Sequence, residues 1–378
     1  MQISKMQSDI VALIEKYAIS YKGSPFYSAY SPILVYGAGN MGKDVCRVMT
    51  SQGIKVEAFL DRKASAGEQW NGIPVYPPDW DDVPLSQRRQ TGVIIALHNR
   101  DVEIPPIIKA LVKRGYGRII TLIEFFDHFA EEVGDRFWLT SRSNYKQWEE
   151  DISEGYSIWA DEPSQQLYLK LLKFRLTGDY DVLPPLEQDC PYFPTGFLVW
   201  DAPLRLVDGG AFDGDTLRSL FSSQYPVEAA AVFEPDPDNL NELIKYLSSV
   251  SSYQIYLWPC AIYSSTQQLY FSSNIGEGSH LLSSGNISIQ ATALDDVLRP
   301  FKPNLIKLDI EGAEVDGLMG AKRIIRENRP GLAICTYHRP EHMWQIPSLI
   351  NSWDLGYKFY MRMHKHNGFE LVMYAKAV

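Results

Sequence analysis

Three acids and three glycines crowd one stretch of this sequence in a pattern that could hold a cationic nucleoside. In L-R-L-V-D-G-G-A-F-D-G-D-T, Asp208, Asp213 and Asp215 surround Gly209, Gly210 and Gly214. Glycines there let the backbone turn sharply and approach a ligand more closely than a side chain would allow. A second run, A-A-A-V-F-E-P-D-P-D-N-L, ends its apolar part at Glu234, with Pro235 next. An acid in that place is where a ribose presents its hydroxyls to a doubly wound sheet. A pyrophosphate wants a helix N-terminus free of acids, and the aspartates would repel it. S-adenosylmethionine carries a sulfonium and an ammonium and no phosphate, so the same acids attract it. A third run, L-I-K-L-D-I-E-G-A-E, adds Asp309, Glu311 and Glu314.

These residues need a parallel sheet to bring them together. Short apolar runs predict strands at Leu204–Val207, Ala229–Phe233, Gln254–Leu257, Asn304–Leu308 and Gly331–Thr336. Tyr357–Met363 and Phe369–Lys376 predict a closing antiparallel hairpin. A helix from P-D-P-D-N-L onward should bury Leu240, Leu243, Ile244 and Leu247, and another should run from Val315 to Glu327. In such folds the loop after the third strand lies against the adenine, which makes Cys260 and Ala261 backbone contacts. Asp309 and His338 fall at carboxyl ends of strands beside the same crevice. Glu314 reads equally as a site acid or as a capping acid at a helix start. The polar loop from Ser272 to Ser288 reads as an active-site flap or as plain surface.

The three runs, in this order and spacing, resemble the FkbM-type S-adenosylmethionine-dependent methyltransferases over residues 204–378. The resemblance implies a class I methyltransferase fold, and makes Asp208, Gly209, Gly210, Asp213, Glu234, Pro235, Cys260, Ala261, Asp309 and Glu311 the cofactor set. It also implies a hydroxyl acceptor on a sugar or small hydroxylated metabolite, hence O-methylation. In-line transfer is mostly a matter of positioning, with a base to take the hydroxyl proton. His338 is the first candidate, because histidine titrates near neutrality, and Asp309 the second. Asp309 and Glu311 could share a divalent cation, but nothing in the spacing demands one, and no metal is expected.

Upstream, I-L-V-Y-G-A-G-N-M-G places a full G-x-G-x-x-G at Gly37, Gly39 and Gly42 between a strand and a helix from Met41 to Ser51. The following strand, Lys55–Leu60, ends at Asp61. Further strands are expected at Gly92–Leu97 and Arg118–Leu122, with a helix over Val102–Arg114 between them. The fold class is therefore α/β, with two Rossmann-like doubly wound sheets. The runs F-L-D-R-K and N-G-I-P-V-Y-P-P-D resemble the nucleotide-sugar-binding domain of PglD-type sugar acyltransferases. By that resemblance Gly37, Gly39, Asn40, Asp61, His98 and Asn99 line a pocket. Three readings stay open: a nucleotide-sugar or sugar site, a dinucleotide (NAD(H)) site, and a scaffold that binds nothing.

The domain reading is an N-terminal helical segment over residues 1–30, a Rossmann-like domain over 31–125, a helical and linker segment over 126–203, and the methyltransferase domain over 204–378. Ile10, Leu13, Ile14 and Tyr17 lie at helical spacing near the start. In the middle, Asp161 caps a helix with Leu167, Leu171 and Phe174 on one face, closed by Gly178. Tyr192, Phe193 and Pro194 then fall near the mouth of the second site, as lid or as core. With 45% hydrophobic residues among 378, a sizeable core is available. A net charge of -10 argues against nucleic acid, and no window of 18 apolar residues suggests a membrane span. Cys46, Cys190, Cys260 and Cys335 lack metal spacing and read as reduced thiols of a cytoplasmic protein. The expected partner is a small-molecule or sugar acceptor, and a homo-oligomer is compatible with this reading.

Overall fold

The computed structural model describes residues 5–19, 26–250, 253–271, 281–282 and 287–378. The chain divides into two compact units. One comprises Met1–Ser153, Leu169–Pro185 and Lys365–Phe369; the other comprises Glu154–Tyr168, Leu186–His364 and Glu370–Val378.

The first unit holds β1 (Ile33–Tyr36), β2 (Val56–Leu60), β3 (Gln69–Trp70), β4 (Ile73–Tyr76), β5 (Gly92–Ile95) and β6 (Arg118–Ile120), in the order β3-β4-β2-β1-β5-β6. All neighbours are parallel except β3 and β4. Strands β1 and β5 are buried along their whole length, as unbroken apolar runs require in a sheet covered on both faces. The β3–β4 hairpin was not expected. Its turn is Asn71-Gly72, both at positive φ (51° and 79°), the residue pair that two-residue hairpins favour. Helices Asn40–Ser51 and Ile104–Lys113 stand close to their expected places, and helix Lys5–Tyr17 buries Ile10 and Ile14.

The second unit contains β7 (Leu204–Gly209), β8 (Val227–Phe233), β9 (Gln254–Trp258), β10 (Ala261–Ile262), β11 (Gln267–Phe271), β12 (Leu281–Leu282), β13 (Ile287–Thr292), β14 (Leu305–Leu308), β15 (Gly331–Cys335), β16 (Tyr357–Met363) and β17 (Leu371–Ala377). Its main sheet runs β16-β17-β15-β14-β7-β8-β9. Strands β15 through β9 pair in parallel, while β17 is antiparallel to both β15 and β16. This is a mixed α/β, Rossmann-like sheet with the closing hairpin of a class I methyltransferase fold. Strand order reverses between β7 and β14, which opens a crevice at their carboxyl ends. Every residue of β14 and β15 is buried. Full burial of a Leu or Ile there contributes ~1.5–3 kcal/mol, and Ile306→Ala should cost about 2–5 kcal/mol.

Three expectations for this unit fail locally. A small second sheet, β10-β13-β11-β12, stands where only a loop was expected. Of the stripe Leu240, Leu243, Ile244 and Leu247, only Leu243 is buried and Ile244 is exposed. The helix after β14 is two helices, Glu314–Gly320 and Lys322–Asn328, broken at Ala321. Gly320 lies so close to the Tyr263 carbonyl that a Cβ would fall 2.0 Å from it. Most of the expected flap, Ser272 to Ser288, lies outside the described residues. Among the described residues, no helix is long and apolar enough to cross a membrane.

Candidate functional site

Parallel pairing sets Asp208 of β7 directly beside Lys307 of β14. In a sheet, register partners put their side chains on the same face, so the two ionic groups meet. Lys307 Nζ lies 3.0 Å from Asp208 Oδ1, with both side chains almost wholly buried. The ammonium also donates to the Gly209 carbonyl at 3.1 Å and the Gly210 carbonyl at 2.6 Å, and lies over the Tyr192 ring. Burial pushes Asp208 up to about 6 against the pull of Lys307. Burial would lower Lys307, but Asp208, Asp309 and Asp215 outweigh it and keep the ammonium charged. Asp208 therefore sits beneath the glycine turn and fastens it through Lys307. Lys307 was not among the expected site residues, although a lysine inside an apolar four-residue strand was the signal for it.

The turn above requires its glycines. Gly210 has φ +74°, and a Cβ on it would fall 1.9 Å from the Asp309 carbonyl. A Cβ on Gly209 would meet Ile262 and Leu308 at 2.7 and 2.8 Å. Beyond the turn, Phe212 N–H donates to Glu234 Oε2 at 2.8 Å, and Asp236 N–H donates to Oε1 at 2.8 Å. Glu234, raised by burial, thus clips the β7 turn to the β8 turn. Asn239 Nδ2 also donates to Glu234 Oε1 at 3.5 Å; a carboxylate has about four acceptor sites, so capacity for a ribose hydroxyl remains, chiefly on Oε2. Asp213 turns to Arg218 and stays partly exposed. Pro235 follows Glu234, half-buried. Cys260 is buried, its thiol pushed up to about 11 by burial, and its N–H donates to Trp258 O at 2.9 Å. Ala261 opens β10, in register with Ala291.

The other side of the crevice is built by the turn after β14. Asp309 Oδ2 accepts the Tyr192 hydroxyl at 3.0 Å, and Oδ1 lies 3.3 Å from His338 Nε2. Glu311, at φ 54°, places Oε2 3.6 Å from the same nitrogen. Glu314 is wholly buried; its Oε1 accepts Ile310 N–H at 2.9 Å and meets His338 Nδ1 at 2.8 Å, and its Oε2 lies 3.2 Å from His342 Nδ1. It stands in the first turn of helix Glu314–Gly320, where an acid at a helix start is expected, and it also anchors two imidazoles. Burial alone would lower His338; Glu314, Glu311 and Asp309 together raise it to about 10. Those imidazoles hold Glu314 well below the usual carboxylate range despite its burial. Glu311 is pushed up to about 7. Nearly half of its side-chain surface is open (48%), yet surrounding protein and the carboxylates of Asp309, Glu314 and Glu370 outweigh His338.

The three carboxylates around His338 favour its charged form, which works against a role as proton acceptor. Asp309, Glu314 and His338 each place one ligand-type atom within 4.8 Å of the others, with Glu314 at Nδ1 of the ring and Asp309 at Nε2. Tyr192 and Phe193 are buried, and Tyr192 touches the site through Asp309 and Lys307; the Trp200 ring N–H donates to Tyr192 O at 2.8 Å.

In the first unit, Gly37 turns at φ +107° after β1, and Gly39 caps helix Asn40–Ser51 with open space above its Cα. Asp61 accepts Ala38 N–H and Lys63 N–H, each at 2.8 Å. Asn40 and Asn99 are exposed, and the Asn99 side chain accepts Asp101 N–H at 2.8 Å. The structure brings Gly37 and Asp61 to one turn. It places His98 in an aromatic cluster with Phe137, Trp138 and Phe369, where burial, then Arg136, lowers it to about 3.

Residues 208–370 match the family described as the methyltransferase FkbM domain. No curated protein matches the chain. Among solved structures, a methyltransferase FkbM from Methylobacillus flagellatus KT superposes with a TM-score of 0.80 at 21% identity, covering 98% of this chain and 99% of that one. It has the same fold. The SAH-bound methyltransferase PaMTH1 of Podospora anserina aligns at a TM-score of 0.30 and 9% identity, over 61% of this chain and 86% of that one. The domain match over the C-terminal part supports an enzyme that transfers methyl groups.

Proposed function

We propose that the second unit binds S-adenosylmethionine over the β7 and β8 turns and methylates a hydroxyl of a sugar or small hydroxylated metabolite. One observation carries this reading. A glycine turn that admits no Cβ faces Glu234 on one side and an acid-rich wall, Asp309 and Glu311, on the other. The donor set suits the cofactor: Glu234 retains acceptor capacity for a ribose, and the carboxylates favour a sulfonium and an ammonium over a phosphate. When bound, this cofactor supplies an electrophilic methyl group on a sulfonium.

The chain's own contribution is placement and charge. Lys307 and Glu234 fix the turn, and Asp309, held by Tyr192 and His338, fixes the near edge of the acceptor space. Preorganised groups of this kind need no rearrangement during reaction. The four free cysteines suit a reducing, cytoplasmic setting. A second reading gives the first unit a nucleotide-type ligand, favoured by the open space over Gly39 and the turn pinned by Asp61.

The test is transfer of label from methyl-tritiated S-adenosylmethionine to neutral methyl glycosides, with products separated by chromatography. Alkali-stable label in the sugar supports an ether product. Label only in anionic or nitrogenous acceptors would refute hydroxyl methylation.

A further inference from the structure

We infer that Glu311 is the base that takes the acceptor's proton, and that His338 is the positioning residue that holds it. The inference rests on the methyltransferase reading above and adds the residue that does the proton transfer.

Geometry separates the carboxylates of the wall. Glu314 is wholly buried and holds Ile310 N–H, His338 and His342. Glu370 is also buried. Asp309 keeps 23% of its side chain exposed, and its two oxygens face the Tyr192 hydroxyl and His338. Glu311 has 48% of its side chain exposed and stands on a left-handed residue at the crest of the turn between β14 and helix Glu314–Gly320. It is the carboxylate of this group that an incoming hydroxyl reaches most readily. A base must lie within hydrogen-bond reach of the proton it removes.

His338 supplies the fixed point. Glu314 holds the ring through Nδ1 at 2.8 Å, which aims Nε2 between Asp309 and Glu311 at 3.3 and 3.6 Å. A histidine oriented by a carboxylate on its far nitrogen presents the near nitrogen in one direction. The groups acting on Glu311 include Asp309, Glu314, Glu370 and His338, with Tyr337 also near it and Arg339 bonded to the adjacent Gly312 carbonyl. Burial first, then the carboxylates of Asp309, Glu314 and Glu370, raise Glu311 to about 7 against the pull of His338, near the pH at which a base is most effective.

The step balances. Glu311 takes the hydroxyl proton and becomes a neutral acid while an oxygen lone pair forms the bond to the methyl carbon. The electron pair of the broken carbon–sulfur bond stays on the donor's sulfur, whose positive charge is thereby cancelled. Release of the proton to solvent restores the carboxylate.

The experiment uses the full chain labelled with [5-13C]glutamate, titrated by carbon NMR with and without S-adenosylhomocysteine, and Glu311→Gln to assign the resonance. The expected result is a Glu311 midpoint near neutrality that moves upward in His338→Gln, a shift a merely structural histidine would not cause. In parallel, at saturating S-adenosylmethionine, Glu311→Gln should lower methyl transfer to neutral glycosides by about 10²–10⁴-fold. A Glu311 midpoint in the ordinary carboxylate range, or transfer by Glu311→Gln within a few-fold of wild type, overturns the inference. Failure of S-adenosylhomocysteine to bind would sink the cofactor reading instead, and the carbon titration would still decide whether Glu311 is poised as a base.

Discussion

Replacing Lys307 by methionine tests how the glycine turn is held. The change keeps the volume of the stem but removes the ammonium 3.0 Å from Asp208 and the donor to the Gly209 and Gly210 carbonyls. Breaking a buried ion pair from one side costs about 3–5 kcal/mol. An independent bound agrees. The stranded Asp208 can take up a proton, at about 1.4 kcal/mol per pH unit above its ordinary 3.8, which is about 4 kcal/mol at pH 7. The sign of the pH dependence follows. In the variant the folded state keeps a proton that the unfolded state lacks, so stability falls as pH rises from 5 to 7 at the full slope of one proton. Wild-type Asp208 is raised only to about 6, so wild type stops losing stability there. The gap should widen by about 1 kcal/mol between pH 5 and pH 7. Urea unfolding, fitted with a separate transition for each unit, reads both quantities. A cost under 1 kcal/mol at pH 7, or a gap independent of pH, would refute this account of the turn. Recovery of part of the loss in the Asp208→Asn, Lys307→Met double variant would assign it to the stranded charge.

Other outcomes follow from the same contacts. Gly210→Ala, at φ +74° with its Cβ 1.9 Å from a carbonyl, should abolish S-adenosylhomocysteine binding and destabilise by more than about 2 kcal/mol; binding within three-fold of wild type would contradict it. His338, raised from 6.5 to about 10, gives stability that is complete below pH 6.5 and is lost as pH rises to about 10. Unfolding curves of wild type should show that loss and those of His338→Gln should lack it. Gly39→Ala, at φ −73° with nothing near its Cβ, should change stability by less than about 1 kcal/mol and leave S-adenosylhomocysteine affinity untouched. Gly42→Ala, whose Cβ would fall 1.9 Å from the Gly37 carbonyl, should disrupt the first unit; a thermal melt distinguishes the two.

Much of the fold could be read from the chain because its strands are short, apolar and bounded by glycine or acid. Ile306 and Leu332 announce buried parallel strands. The alternation near Tyr357 and Leu371 less clearly marks a hairpin whose strands are largely buried. What escaped was tertiary. Asp208 looked like an acid open to a ligand, but register with Lys307 puts it under the turn. His338 reads in sequence as a neutral-pH base, and only the convergence of Glu314, Glu311 and Asp309, from another turn, favours its charged form. Ile244 carries a helical apolar period yet is exposed, because the helix Pro237–Ser248 buries a narrower face than its composition suggests. The N-G pair at Asn71 was a legible hairpin signal that the longer runs around it obscured.

The most direct test of the cofactor site is calorimetric titration of S-adenosylhomocysteine into the purified full chain and into Glu234→Gln. Glu234 accepts two main-chain amides at 2.8 Å and is assigned the ribose; hydrogen bonds to a charged group contribute about 1.5–3 kcal/mol. The account predicts one-site binding to wild type, weakened about 10–100-fold in the variant with folding preserved. No binding to folded, ligand-free wild type, or equal affinity in both proteins, would contradict it.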